Sequence, residues 1–71
     1  MDDRYELIFV AEKILEDMLR PGQIEELDKL IEKGLTIDML IDCGDIAKRS
    51  PGKIKFNYLK AIIENRLSAR S

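Results

Sequence analysis

Phosphate neutralisation and ring stacking are the chemistry that the stretch KIKFNYLKAIIENRL, residues 53–67, could do. It carries Lys53, Lys55, Lys60 and Arg66 against one acid, Glu64, and it holds Phe56 and Tyr58, two of the four aromatic residues of the chain. Lysine and arginine displace counterions from a nucleic-acid backbone, and rings stack on unpaired bases. Lys48 and Arg49 lie just upstream, before the loop sequence Ser50-Pro51-Gly52, and extend the cationic segment.

The rest of the chain has the opposite charge. Residues 1–47 hold five basic and thirteen acidic residues, a net of −8; residues 48–71 hold seven basic residues and one acidic, a net of +6, and the total is −2. Such a cluster is an electrostatic footprint for a polyanion even in an acidic chain. Cations also gather at helix C-termini, which covers Arg66 and Arg70. Lys48, Arg49, Lys53 and Lys55 precede or start the last helix, where they oppose its dipole. Pairing with the acidic half of the same domain is the competing structural explanation.

Other chemistry is poorly served. There is no histidine, which removes the commonest general base, nucleophile partner and metal ligand. A zinc site would have to rely almost wholly on carboxylates, and no glycine-rich phosphate loop occurs. Acidic neighbours such as Glu25-Glu26 or Asp42 and Asp45 read as solvated faces. The expectation is a non-enzyme with no cofactor and no metal. The lone Cys43 cannot form an intramolecular disulfide, has no basic neighbour close in sequence to activate it, and reads as buried structure. No apolar run approaches the roughly 20 residues that span a bilayer, and no signal peptide is visible, so a cytoplasmic soluble domain is expected.

At 71 residues the chain makes one domain with a thin core. Apolar residues at Leu7, Ile8, Ala11, Ile14, Leu15 and Met18 follow the helical recurrence and predict a first helix over 4–19. Phe9 and Val10 fall off that stripe: they cover a second neighbour, face a partner, or cap the end of the core. Pro21 suits a first helical position, so Pro21-Gly22 ends one helix and starts the next, whose inner face is Ile24, Leu27, Leu30 and Ile31. Gly34 is a left-handed helix end and Thr36 an N-cap. The third helix turns Ile37, Leu40, Ile41, Cys43 and Ala47 inward, with Met39 and Ile46 on its flanks. Gly44 weakens it by about 1 kcal/mol relative to Ala, and is either the seat of a close helix–helix contact or a simple local weakness. The fourth helix starts near Phe56, or at Ile54, and ends near Ser68. The fold class is all-α, a small bundle of about four helices.

On the last helix Phe56, Tyr58, Leu59, Ile62, Ile63 and Leu67 share one half of the circumference, and Asn57, Lys60 and Glu64 the other. Tyr58 lies at the edge, where its ring packs and its hydroxyl reaches water or a phosphate. Arg66 falls inside the apolar sector and must snorkel outward. Tyr58, Ile62 and Arg66 therefore form a row at four-residue spacing.

That row, in FNYLKAIIENR at residues 56–66, resembles the Tyr–Ile–Trp signature closing the C-terminal domain of the bacterial DnaD and DnaB-like primosomal proteins. The upstream LRPGQIEELDKLIEKGLTIDMLIDCGDIAKRSPGK is similar to the preceding helices of that domain, so the resemblance spans roughly residues 15–67. It implies a DNA-binding domain excised from a longer protein of replication initiation and restart in Gram-positive bacteria. A separate N-terminal domain of such a parent would drive oligomerisation, and primosomal or initiator proteins would be its partners. The departure is Arg66, where the family usually has Trp. If the Trp packs, the variant loses about 2–3 kcal/mol of apolar burial; if it stacks, an Arg still stacks and adds phosphate attraction.

The combined expectation is a non-catalytic module binding single-stranded or opened duplex DNA with little sequence specificity. Lys48, Arg49, Lys53, Lys55, Lys60 and Arg66 would meet phosphates, and Tyr58, Ile62 and Phe56 would lie against a base or sugar. The main alternative is a protein–protein adaptor docking an initiator or helicase-loading partner through helices 1 and 2. A sequence-specific helix-turn-helix over 36–66 is weaker, because its second helix spends half its circumference on apolar burial.

Overall fold

A computed structural model describes the backbone of residues 3–70 and the side chains of residues 4–69. Of the residues weighed above, the side chain of Arg70 lies outside that description. Four helices form in chain order: α1 Asp3–Leu15, α2 Pro21–Glu32, α3 Ile37–Ala47 and α4 Phe56–Arg70. No strand occurs among the described residues. Each helix sends at least one side chain wholly out of water: Leu7, Leu27, Leu40 with Cys43, and Leu59 with Ile63. No polar or charged side chain is buried among the described residues, so the interior is held by apolar burial alone.

The first helix is shorter than its periodicity predicts. It stops at Leu15, where Glu16 takes a left-handed φ of 55°. The Asp17 amide then bonds back to the Glu12 carbonyl at 3.2 Å, closing a Schellman-type end that is usually built on glycine. The turn reverses the fate of two neighbours. Met18, expected in the core, is 80% exposed, while Leu19 is buried at 7%. The Glu12 carboxylate holds the new course by accepting from the Leu19 amide at 2.9 Å. Pro21 therefore starts α2 but does not end α1. The Arg20 amide ahead of it donates to Gln23 Oε1 at 3.0 Å, half of a capping box.

The expected punctuation of α3 is present. Gly34 has φ 113°, and the Leu35 amide reaches the Leu30 carbonyl at 3.0 Å across it. Thr36 Oγ1 accepts from the Met39 amide at 3.2 Å. The inner face of α3 is rotated from the expected one, however: Met39 is buried and Ile41 is 45% exposed. The cause lies at Gly44. A Cβ there would sit 2.6 Å from Ile14 Cδ1 and 2.9 Å from its Cγ1, so the Ile14 side chain of α1 fills the space that a side chain at this point of α3 would need. Leu40, Cys43 and Ala47, all 0% exposed, pack beside this contact, and Ile41 is left on the rim of the α1–α3 seam.

α3 and α4 run antiparallel. Asp42 meets Arg66 and Ser50 meets Tyr58, so the two chains keep register along the pair, and Ile46 falls level with Ile62. This hairpin projects the connection 48–55 from one end of the bundle.

Two outcomes test these points. Glu16→Gly relieves the left-handed strain and raises stability by about 0.5–1 kcal/mol in chemical denaturation. Gly44→Ala lowers it by about 1–3 kcal/mol through overpacking, whereas in an Ile14→Ala background the same change stabilises by up to about 1 kcal/mol, the ordinary helix propensity of alanine.

Candidate nucleic-acid interface

The cations expected to form one surface fall into two groups. Lys60 leaves the interface: its ammonium is 2.9 Å from Glu26 of α2, with only 27% of its side chain exposed. The Glu26 hydrogen bond raises the Lys60 pKa above its ordinary value. Arg66 points along the α3 side of α4 and donates to Asp42 at 3.2 Å. It does snorkel, since 43% of its side chain is exposed, but its guanidinium ends on a carboxylate of the same domain. Lys53 reaches Asp17 at 3.6 Å, with both side chains more than half exposed, so this contact holds little.

The second group is the loop itself. Of residues 48–55, four are cations, none is acidic, and every side chain but that of Ile54 is exposed. Lys48, Arg49 and Lys55 have no carboxylate within ion-pair distance among the described residues. Their relation to the helix dipoles divides them again. α3 ends at Ala47 with Lys48 as its C-cap, so Lys48 and Arg49 sit at a negative helix end that favours them. This corrects the expectation that all four loop cations oppose a dipole. Lys53 and Lys55 remain the ones so placed. The Lys55 carbonyl opens α4 by accepting from the Tyr58 and Leu59 amides, both at 3.1 Å, so the residue stands at the positive end of the helix.

Tyr58 is 44% exposed at the edge of α4. Its hydroxyl does not stand free: it lies 3.0 Å from Ser50 Oγ and ties the loop to the helix. The ring is thus held beside Ser50. Ile62, one turn on, is half-buried against the core, and Phe56 is buried at 8%, which removes it from any stacking role. Lys48, Arg49, Lys53, Lys55 and Tyr58 are brought to one end of the bundle; Lys60 and Ile62 are not, and Arg66 lies along the flank.

One cation escaped the sequence reading. Lys13 of α1 lines the same clefts as Lys48, between α1 and α3. No periodicity signals this, because it depends on the close α1–α3 approach at Gly44. Burial raises the Cys43 thiol above its ordinary pKa, and Cys43 is 0% exposed, so the buried-structure reading holds.

Charge pairing also fixes α2. Arg4 grips Asp28 through Nε at 2.6 Å and Nη2 at 3.0 Å, and this hydrogen bond lowers the Asp28 pKa. A depressed carboxylate stabilises the fold above its unfolded pKa and loses that contribution as pH falls through the folded value. Arg4→Leu therefore destabilises the domain at neutral pH, and the gap from the unmodified chain closes as pH drops below the usual carboxylate range. Urea denaturation at neutral pH and at about pH 2 measures it.

Compared with known proteins, the chain matches no protein-family model, no curated protein and no solved structure. Among the described residues no group of carboxylates and cysteine is placed to hold a metal ion, and no helix is long and apolar enough to cross a membrane.

Proposed function

We propose that this domain is a non-catalytic module that binds single-stranded or opened duplex DNA through the 48–55 loop and the first turn of α4. The observation that carries the reading is the loop: four exposed cations in eight residues without a carboxylate, on a chain that is acidic elsewhere. Lys55 in particular makes no ion pair among the described residues and starts α4 against its dipole, so its charge costs stability until an anion arrives. Lys53 joins it by giving up a loose contact with Asp17.

Phosphates would lie along Lys48, Arg49, Lys53 and Lys55, and the Tyr58 ring would stack on a base or sugar next to them. The cations lie on the loop and not along one exposed helix face, which fits backbone binding with little sequence preference. Lys60 and Arg66 support the surface by pinning α4 to α2 and α3. A setting in replication initiation or restart, with primosomal or initiator partners, rests on the resemblance of residues 56–66 to the DnaD-like signature.

A second reading, a protein-docking module, is favoured by Tyr5 and Phe9, which α1 leaves 66% and 58% exposed. Its acidic component is reduced, because Glu26 and Asp28 of α2 are already paired.

Fluorescence anisotropy with labelled single-stranded and duplex oligonucleotides separates the two. The unmodified chain is expected to bind with a log–log salt slope of about −3 on single strands, as four phosphate contacts require. Replacing Lys48, Arg49, Lys53 and Lys55 together by Ala abolishes binding, while Lys29→Ala with Lys33→Ala, in the last turn and at the C-cap of α2, leaves it unchanged. No binding at low salt, or equal loss in both variants, overturns the reading.

A further inference from the structure

We propose that the exposed face of α1 pairs two copies of this chain, antiparallel and two-fold symmetric about Phe9. This stands apart from the nucleic-acid reading and uses the opposite side of α1 from the core. Leu7, Ala11, Ile14 and Leu15 turn inward, so pairing requires no rearrangement of the fold.

The face is a single row. Tyr5, Phe9 and Lys13 follow one another at four-residue spacing, a slanted row that advances about 40° around the helix at each step. Tyr5 and Phe9 are among the most exposed large apolar side chains of the molecule, at 66% and 58%. The Lys13 ammonium lies 4.9 Å from the Phe9 ring centroid, so the row already pairs cation with ring within one copy. Glu6 lies beside Lys13 around the helix, about 20° away, and neither makes an ion pair within the described residues.

Reversing the row onto itself fixes the occupant. With the two-fold axis at Phe9, Phe9 meets Phe9 of the second copy and Tyr5 meets Lys13 of the second copy at both ends. On the flank, Glu6 meets Lys13 of the second copy, again twice. A parallel arrangement would instead set Lys13 against Lys13 and Glu6 against Glu6, which is repulsive. The surface is thus complementary to its own reverse, as an isologous interface must be. Its extent sets the strength. Four rings, each more than half exposed, offer on the order of 400 Å² of apolar area, well short of the roughly 1,600 Å² of a standard interface. The dimer is therefore weak. Paired copies would also present two cationic loops, raising the avidity of each.

Sedimentation velocity over a wide concentration range tests this, using the full chain. The weight-average mass is expected to rise from monomer towards dimer with concentration, and Phe9→Glu, which changes an exposed side chain, should stay monomeric. Charge variants test the geometry. Lys13→Glu alone and Glu6→Lys alone each place like charges across the axis and weaken association, whereas an equimolar mixture of the two restores attraction at both flanks. The mixture should associate several-fold more tightly than either variant alone. A monomer at every concentration, association that survives Phe9→Glu, or a mixture no tighter than its components overturns the proposal.

Discussion

The close approach of α1 to α3 at Gly44 is the constraint on which the rest of the arrangement depends. Ile14 occupies the space where a side chain at that position would be, and the contact brings Leu40, Cys43 and Ala47 into a seam without water. α3 packs on α1 through one side and on α4 through the other, so its placement sets the direction of both. The glycine weakens α3 as a helix and strengthens it as a packing surface. In a domain this small, a few such contacts carry much of the stability.

The antiparallel α3–α4 pair follows from that placement, and the connecting loop follows from the pair. The loop leaves the bundle with its cations outward: Glu16 and Asp45 line clefts beside Lys48 without pairing to it, and only the loosely held Asp17 reaches a loop cation, Lys53. Elsewhere the acidic half of the chain holds the basic half, Lys60 being satisfied by Glu26 and Arg66 by Asp42, while Arg4–Asp28 pairs within the acidic half; each pair joins two different helices. The cations of the positive segment thus divide by position: Lys60 and Arg66 within α4 tie the domain together, and Lys48, Arg49 and Lys55 ahead of it make no ion pair among the described residues. A net negative charge does not oppose this, since salt screens distant charges over about 8–10 Å and leaves the local cluster to act.

Much of this was legible in the sequence, and the parts that were not have identifiable causes. Helical periodicity gave the four elements, and Gly34, Thr36 and Pro21 act as their residue types imply. The end of α1 was hidden because a glutamate, which rarely takes φ above zero, makes the left-handed turn at Glu16. That single dihedral exchanged Met18 for Leu19 in the core. Ile41 was misplaced because the orientation of α3 is set by a tertiary contact at Gly44 and not by its own apolar pattern. The candidate site divided for the same kind of reason. The Lys60–Glu26 pair spans 34 residues and the Arg66–Asp42 pair 24, separations over which charge counting has no reach. The favourable end of α3 beside Lys48 and Arg49 needed only its C-terminus to be recognised.

The division of the positive charges is tested most directly by residue-resolved amide spectra of the ¹⁵N-labelled chain, titrated with a short oligo-dT at low salt. If the loop cations are the ligand-bearing ones, shifts concentrate between Lys48 and Tyr58, and the amides of α2 facing Lys60 stay in place. Shifts centred on α1 or α2, or spectra that do not move, would contradict the account and assign the positive segment wholly to holding the fold.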